Sequence, residues 1–204
     1  MIDLYAAGTA NGIRARIGLE ECGLAYTFHP IDLTKGEQKS PSLLAMNPNG
    51  QVPVIVDRDG PGGKPVTLAQ SVAILLYCAD KSGKFLPKDP AARPAFLQGL
   101  MSAASDMGMT LGAIFAISRS KEPHAPTLEI FVSNWKKYLT VWDATLGKRR
   151  YCAGDELTIA DFALYAAYAR AKIAKPEICE NVPNAARWAD ELAARPAIQR
   201  AMKF

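Results

Sequence analysis

A proline that follows an apolar residue gives the first sign of a binding site in this chain. In residues 49–57, Val52 precedes Pro53 where a strand is predicted to begin. A bond of this type can be cis, since cis costs an X-Pro pair only ~0.5–1 kcal/mol. The N–H and C=O of Val52 would then lie unpaired at a strand edge. An extended peptide can bind such an edge by adding a short strand.

A second motif follows closely along the chain. Gln70 and Ser71 begin an apolar helical run, so their backbone N–H groups lie at the start of a predicted helix. Helix N-termini attract carboxylates. A strand edge for a peptide backbone and a helix start for a carboxylate together predict a site for a small acidic peptide.

Composition excludes several classes of protein. The chain has 204 residues and a net charge of +4, which is too mild for a nucleic-acid-binding surface. No apolar run approaches the ~20 residues that span a bilayer, and residues 1–5 lack the features of a signal peptide. We therefore expect a cytoplasmic protein with no nucleic-acid or membrane partner. The cysteines are scattered and both histidines are isolated, which predicts no metal site.

The first part of the chain alternates strand and helix signals. The predicted elements are strand 2–6, helix 11–22, strand 26–30, helix 42–46, strand 53–57, strand 65–68 and helix 70–81. The short crossover through the first helix implies a parallel strand pair. The order βαβ then ββα is typical of an α/β thioredoxin-like domain, predicted over residues 1–81.

The rest of the chain carries only helical signals. Residues 82–93 are rich in Gly, Pro and Lys and are predicted to be a linker, followed by an all-α helical bundle over 94–204. Apolar residues at helical spacing over 128–142 indicate one long amphipathic helix. Thr158 and Asp161 form a capping box with Asp in place of Glu, ahead of a helix that is apolar on nearly every face and therefore buried.

In this order, the motifs resemble a glutathione transferase over essentially the whole chain. The first loop (8–12), together with 35–38 and 47–49, is most similar to the bacterial Nu class, many members of which are glutathione-dependent disulfide-bond reductases. Two positions depart from that pattern. Ala10 replaces a proline, and Gln70 stands where Glu is usual.

The resemblance implies that Thr9 and Asn11 contact the glutathione sulfur and are the catalytic residues. An unperturbed thiol with a pKa of ~8.5 is only a few per cent ionised near pH 7, so the site must stabilise the thiolate. A threonine hydroxyl, an asparagine amide and a helix start can do this. Thr9 or Asn11 alone would be interpreted as a helix N-cap, but the surrounding motifs favour the sulfur contact, and the two roles can coexist. Tyr5 is a second candidate for the sulfur contact.

The resemblance also implies contacts along the rest of glutathione. Gln38 would contact the glycine end. Val52, with Pro53, would pair with the cysteinyl backbone, and Gln70 with Ser71 would hold the γ-glutamyl group. Glutathione is therefore the expected cosubstrate, and no metal is expected.

The main hypothesis is a homodimeric enzyme that uses glutathione to reduce a small disulfide. One alternative is a conventional transferase that conjugates glutathione to an electrophile through Tyr5 or Thr9. Another is a binding protein that has lost turnover, which the departures at Ala10 and Gln70 would suit.

In this family the helix that contains Asp106 faces the partner subunit, where its carboxylate could reach the neighbour's glutathione amino group. Arg14 is expected on a solvated helix face, with electrostatic help to an anionic ligand as the alternative.

Overall fold

A computed structural model describes residues 1–204, with four strands and nine α-helices. The strands are β1 (Ile2–Ala6), β2 (Tyr26–Pro30), β3 (Val54–Asp57) and β4 (Val66–Ala69). The helices are α1 (Ala10–Cys22), α2 (Pro41–Met46), α3 (Ser71–Ser82), α4 (Arg93–Met101), α5 (Met109–Ser118), α6 (Ala125–Leu146), α7 (Ile159–Ala174), α8 (Pro183–Ala193) and α9 (Pro196–Ala201). A π-helical segment, Ser102–Gly108, joins α4 to α5. Short 3-10 turns occupy Leu33–Lys35, Glu37–Lys39, Pro61–Gly63, Pro90–Ala92 and Pro176–Cys179.

The four strands form one mixed sheet in the order β2-β1-β3-β4. β1 is parallel to β2, and the pairs β1–β3 and β3–β4 are antiparallel. Alternate side chains of β1 (Ile2, Leu4 and Ala6) are buried, as the two-residue period of a strand requires. They share a core with residues of α1 and α3. The predicted βαβ–ββα order is thus confirmed.

The chain divides into two compact units, residues 1–86 with 194–204 and residues 87–193. The predicted division placed the whole C-terminal segment in the helical domain, whereas α9 lies in the first unit. Two ion pairs fix it there. Arg195 contacts both carboxylate oxygens of Glu21 at 2.6 and 2.7 Å, and Arg200 lies 2.8 Å from Glu20.

The second unit contains only helices, as predicted. α6 buries Trp135, Leu139, Trp142 and Leu146, so its apolar stripe is core. α7 is buried over most of its length and begins with the expected capping box. In that box the Asp161 carboxylate accepts hydrogen bonds from the Thr158 N–H and hydroxyl at 3.0 and 3.1 Å.

One helical stretch is longer and more apolar than we expected from the sequence, where no apolar run of membrane-spanning length was predicted. Pro90–Ser118 is long enough to cross a membrane by length and composition, so the expectation of no such run was wrong. The reason is that α4, the π-helical segment and α5 form one unbroken helix in which only Asp106 is charged after Arg93. Helices in the core of globular domains have the same composition, and this one buries Phe96, Leu100 and Ile114.

Candidate functional site

The start of α1 carries the two side chains expected at the sulfur. Thr9 is the N-cap, and its Oγ1 accepts a hydrogen bond of 3.2 Å from the Gly12 N–H. The turn is tight enough to require glycine there, since a Cβ at Gly12 would lie 1.9 Å from the Ala7 carbonyl oxygen. Asn11 lies exposed in the first helical turn. Thr9 therefore caps the helix, and its hydroxyl hydrogen remains free to donate to a ligand.

The start of α3 lies beside the start of α1. Ser71 is the first residue of α3, is only 8% exposed, and donates a hydrogen bond of 3.3 Å to Asn11 Oδ1. Arg14 connects the two residues. Its Nη1 donates to Asn11 Oδ1 at 2.7 Å and to Ser71 Oγ at 2.8 Å. Two helix N-termini, each with unpaired N–H groups, thus converge on one place.

Gln70 has an unusual backbone conformation just before α3. Its φ is 76° and its ψ is 110°, a region that non-glycine residues seldom occupy. Its side chain is exposed and makes no capping bond to α3. Strain of this kind, of order 1–3 kcal/mol, is found mostly at functional sites. The side chain is available to a ligand at the same helix start as Ser71.

The chain that leads into β3 supplies the expected peptide edge. The Val52–Pro53 bond is cis, and neither the N–H nor the C=O of Val52 bonds to another part of the chain. β3 pairs with β4 so that Val54 lies opposite Ala69. The segments just outside the two strands therefore run side by side, with Val52 near Gln70. The free edge therefore lies close to the start of α3.

The 3-10 turn Glu37–Lys39 supplies two more side chains. The Oε1 atom of Gln38 is buried and has no hydrogen-bond partner. The side chain of Lys39 lies over Gly50, where an added Cβ would be 2.9 Å from its Cδ and 3.0 Å from its Nζ. Gly50 also has a φ of +60°, which favours glycine. The ammonium group of Lys39, an exposed residue, therefore lies next to the loop that ends at Val52.

The electrostatics of this region favour an anion. Arg14 is only 1% exposed, and burial lowers its pKa to about 10, so it stays protonated at neutral pH. The first turns of α1 and α3 contain no acidic residue. A buried cation and two helix starts are thus combined without an opposing carboxylate in either turn.

The seven predicted site residues all lie in the first unit, and a hydrogen bond joins two of them, Asn11 and Ser71. Arg14 was expected on a solvated face, and this was wrong because its side chain turns inward to Asn11 and Ser71. Lys39 was not singled out at all. Its position beside Gln38 in a polar turn was the one available signal. The ring of Tyr5 stacks on His29, with centroids 4.5 Å apart.

Other features lie in the second unit. A cavity of about 350 Å³ is bordered by Met101, Asp106, Tyr138 and Trp142 among others. Met109 on the same helical stretch is 70% exposed. No group of three or more His, Cys, Asp or Glu side chains is placed to hold a metal ion.

The fold is that of a thioredoxin-like unit followed along the chain by an all-helical unit. Family profiles agree on its membership: "Glutathione S-transferase, N-terminal domain" matches residues 10–81 and "Glutathione S-transferase, C-terminal domain" matches residues 105–196. The chain belongs to the glutathione S-transferase family. The resemblance found in the sequence is confirmed.

Individual relatives are similar over nearly the full chain. Disulfide-bond oxidoreductase YfcG of Escherichia coli (strain K12) is 33% identical over 207 residues, covering 99% of this chain and 94% of that protein. A glutathione transferase family member from Pseudomonas fluorescens Pf-5, crystallised with two glutathione bound, is 34% identical with a TM-score of 0.93, covering 99% and 92%. A glutathione transferase from Pseudomonas putida, with one glutathione disulfide bound per subunit, is 32% identical with a TM-score of 0.90, covering 100% and 91%.

Proposed function

We propose that this protein is a glutathione-dependent disulfide reductase in which Thr9 and Asn11 hold the glutathione sulfur as a thiolate. The observation that carries the proposal is the contact between Asn11 and Ser71. It joins a helix start suited to a thiolate with a helix start suited to a carboxylate. The unpaired edge at Val52 lies near the second of these helix starts, because Val54 pairs with Ala69 just before α3. One unit therefore contains groups suited to bind the backbone, the carboxylate and the sulfur of one small peptide.

Each part of glutathione has a proposed partner. The γ-glutamyl carboxylate binds the N-terminal N–H groups of α3 and the Ser71 hydroxyl, and Gln70 contacts the amino group. Val52, held by Pro53, pairs with the cysteinyl backbone. The glycine carboxylate lies at Gln38 and Lys39, where the ammonium beside Gly50 supplies a positive charge.

The thiolate is stabilised at the start of α1. The Thr9 hydroxyl and the Asn11 amide each donate a hydrogen bond to sulfur, and the helix dipole adds to them. Lowering a thiol pKa by two units requires roughly 2.7 kcal/mol, which two charge-assisted hydrogen bonds at about 1.5–3 kcal/mol each can supply.

The chemistry is thiol–disulfide exchange carried by glutathione. The thiolate attacks one sulfur of the substrate disulfide, a mixed disulfide forms, and the other sulfur leaves as a thiolate that takes a proton. A second glutathione thiolate then attacks the mixed disulfide, which releases the reduced substrate and glutathione disulfide. The four cysteines of the chain are buried, which suits a protein that binds and ionises the thiol without forming a disulfide itself. The relatives crystallised with two glutathione or with glutathione disulfide are consistent with this sequence of steps.

The proposal includes a homodimer in a reducing compartment, the cytoplasm. Apolar side chains of the stretch from α4 to α5 are exposed, among them Met101 and Met109. Contact with a second subunit at this face would remove them from water. Asp106 borders the cavity on the same stretch. We propose that its carboxylate faces a second copy, in the role that the family resemblance suggests.

Turnover of a small disulfide, coupled to glutathione reductase, tests the proposal beside conjugation of an activated aryl halide. Disulfide turnover well above conjugation supports the reductase. Conjugation that dominates, and that depends on Tyr5, would replace it with a conventional transferase. Tight glutathione binding without turnover in either assay would identify a binding protein.

A further inference from the structure

Arg14 is a buried cation that touches both ends of the proposed glutathione site. It is 1% exposed, and a single nitrogen, Nη1, donates to Asn11 Oδ1 at 2.7 Å and to Ser71 Oγ at 2.8 Å. Burying a guanidinium is costly. An apolar side chain could fill the same volume without that cost, so the charge and its two hydrogen bonds call for an explanation in function.

The contact with Asn11 fixes the direction of its amide. An asparagine side chain has one acceptor oxygen and one donor NH₂ group, and a half-turn exchanges them. Because Arg14 donates to Oδ1, the Asn11 NH₂ group faces away from the guanidinium. The amide then offers a donor to the sulfur, which stabilises a thiolate. If the amide were turned so that Oδ1 faced the sulfur, this oxygen would repel the thiolate.

The contact with Ser71 acts in the same way. The hydroxyl oxygen accepts a hydrogen bond from Arg14, so its own hydrogen must point elsewhere. In the structure this hydrogen is donated to Asn11 Oδ1 across 3.3 Å, a long contact that a carboxylate can replace. Arg14 thus presents Ser71 as a donor at the start of α3.

We propose that Arg14 is a positioning residue that orients the Asn11 amide and the Ser71 hydroxyl as donors, and so couples thiolate formation to binding of the γ-glutamyl carboxylate. This inference rests on the proposed function, since it assigns roles to Arg14 within that site. Arg14 acts through its two neighbours and also contributes positive charge close to the sulfur.

The test measures the pKa of bound glutathione, from the ultraviolet absorbance of its thiolate, in wild type, Arg14→Met and Arg14→Lys. Arg16→Met is the matched control. It removes the same charge from the same helix, and Arg16 contacts Tyr26, Phe28 and Phe204 but neither Asn11 nor Ser71. Affinity for S-methylglutathione, which cannot ionise, is measured in parallel. Unfolding by urea reports the stability of each variant.

In Arg14→Met we expect the thiol pKa to rise by about one unit, which changes the ratio of thiolate to thiol about tenfold at a given pH. Affinity for S-methylglutathione should fall several-fold. Arg14→Lys keeps the positive charge but loses the planar guanidinium. The thiol pKa of glutathione bound to this variant should therefore lie between the values for wild type and Arg14→Met. Arg16→Met should match wild type. In an Asn11→Ala background, Arg14→Met should shift the thiol pKa much less than it does alone.

An unchanged thiol pKa in folded Arg14→Met overturns the inference, even where stability or affinity falls. If Arg14→Met does not fold, the Arg14→Lys variant decides, and a wild-type thiol pKa in it overturns the inference. A full shift that persists in the Asn11→Ala background also contradicts the positioning role. Failure of the proposed function looks different, because wild type itself would then not bind glutathione or not ionise it.

Discussion

The hydroxyl of Ser71 lies 3.3 Å from Oδ1 of Asn11, although the two residues are 60 positions apart in the sequence. This contact joins the first turns of α1 and α3 in one unit. The sulfur is on the central residue of glutathione and the γ-glutamyl carboxylate is on the residue beside it, so their proposed partners have to lie near one another. The fold meets this requirement because both helices pack on the same side of the sheet and share one core.

Thr9 has two roles that substitution can separate. Thr9→Ala removes the hydroxyl that caps α1 and that donates to the proposed thiolate. We expect about 1 kcal/mol less stability from the lost cap and a fall of about tenfold to a hundredfold in kcat/KM for disulfide reduction. Thr9→Ser keeps the hydroxyl and should retain most of both. A normal kcat/KM in Thr9→Ala, with only stability reduced, would assign the residue to capping alone.

Substitution of Gln70 by glutamate should raise the affinity for glutathione. The amino group of the γ-glutamyl moiety is positively charged, and Gln70→Glu would place a carboxylate at the same strained position before α3. We expect glutathione to bind roughly threefold to tenfold more tightly at low salt, with the gain reduced as salt is added. Calorimetric titration measures this. Gln199→Glu, on the exposed surface of α9, adds the same charge elsewhere and should leave affinity unchanged.

Lys39 tests the glycine end of the site. Lys39→Gln removes the ammonium beside Gly50, and we expect roughly fivefold to tenfold weaker glutathione binding, chiefly as a higher KM, because the charge acts on the bound ground state and the transition state alike. Lys35→Gln is the matched control. Lys35 is a neighbouring exposed lysine, 3.5 Å from Asp32. Equal losses in both variants would show that only overall charge matters.

Asp57 should make the fold sensitive to acid. Burial by itself would raise the pKa of this carboxyl, but hydrogen bonds from Tyr77 and the Asp59 N–H and the ion pair with Lys81 outweigh it. The pKa therefore lies below its ordinary value of 3.8. A carboxyl whose pKa is lowered by folding stabilises the fold above its unfolded pKa. That stabilisation is lost as pH falls through the folded pKa.

The corresponding variant is Asp57→Asn. It should lower the free energy of unfolding at neutral pH by about 1–3 kcal/mol and reduce the further loss of stability below about pH 4. Urea unfolding at several pH values measures both. Asp80→Asn, at an exposed position of α3, is the control for loss of charge. An acid dependence in Asp57→Asn as steep as in wild type would contradict the assignment.

Much of the fold could be predicted because local signals along the chain agree. Strand β1 was predicted with the bounds that the structure shows, and the capping box of Thr158 and Asp161 was found from spacing alone. Such features depend on neighbours within a few residues. Glycines at Gly23 and Gly83 end their helices in the left-handed conformation, which also is a local requirement.

The features that the sequence did not predict depend on contacts between distant segments. Arg14 has the spacing of a surface residue in a helical pattern, and its buried contact with Ser71, 57 residues away, cannot be predicted from that spacing. Lys39 acquires its place through packing over Gly50 in another segment. The grouping of α9 with the first unit depends on ion pairs to Glu20 and Glu21, which spacing along the chain does not reveal.

The most direct measurement is glutathione-dependent reduction of a small disulfide by wild type and by the double variant Thr9→Ala/Asn11→Ala, coupled to glutathione reductase. Urea unfolding establishes that the variant is folded. The account predicts strong turnover by wild type and loss of nearly all of it in the folded variant, because both donors to the thiolate are gone. Turnover in the variant close to that of wild type would contradict the account, since the thiolate would then be stabilised elsewhere.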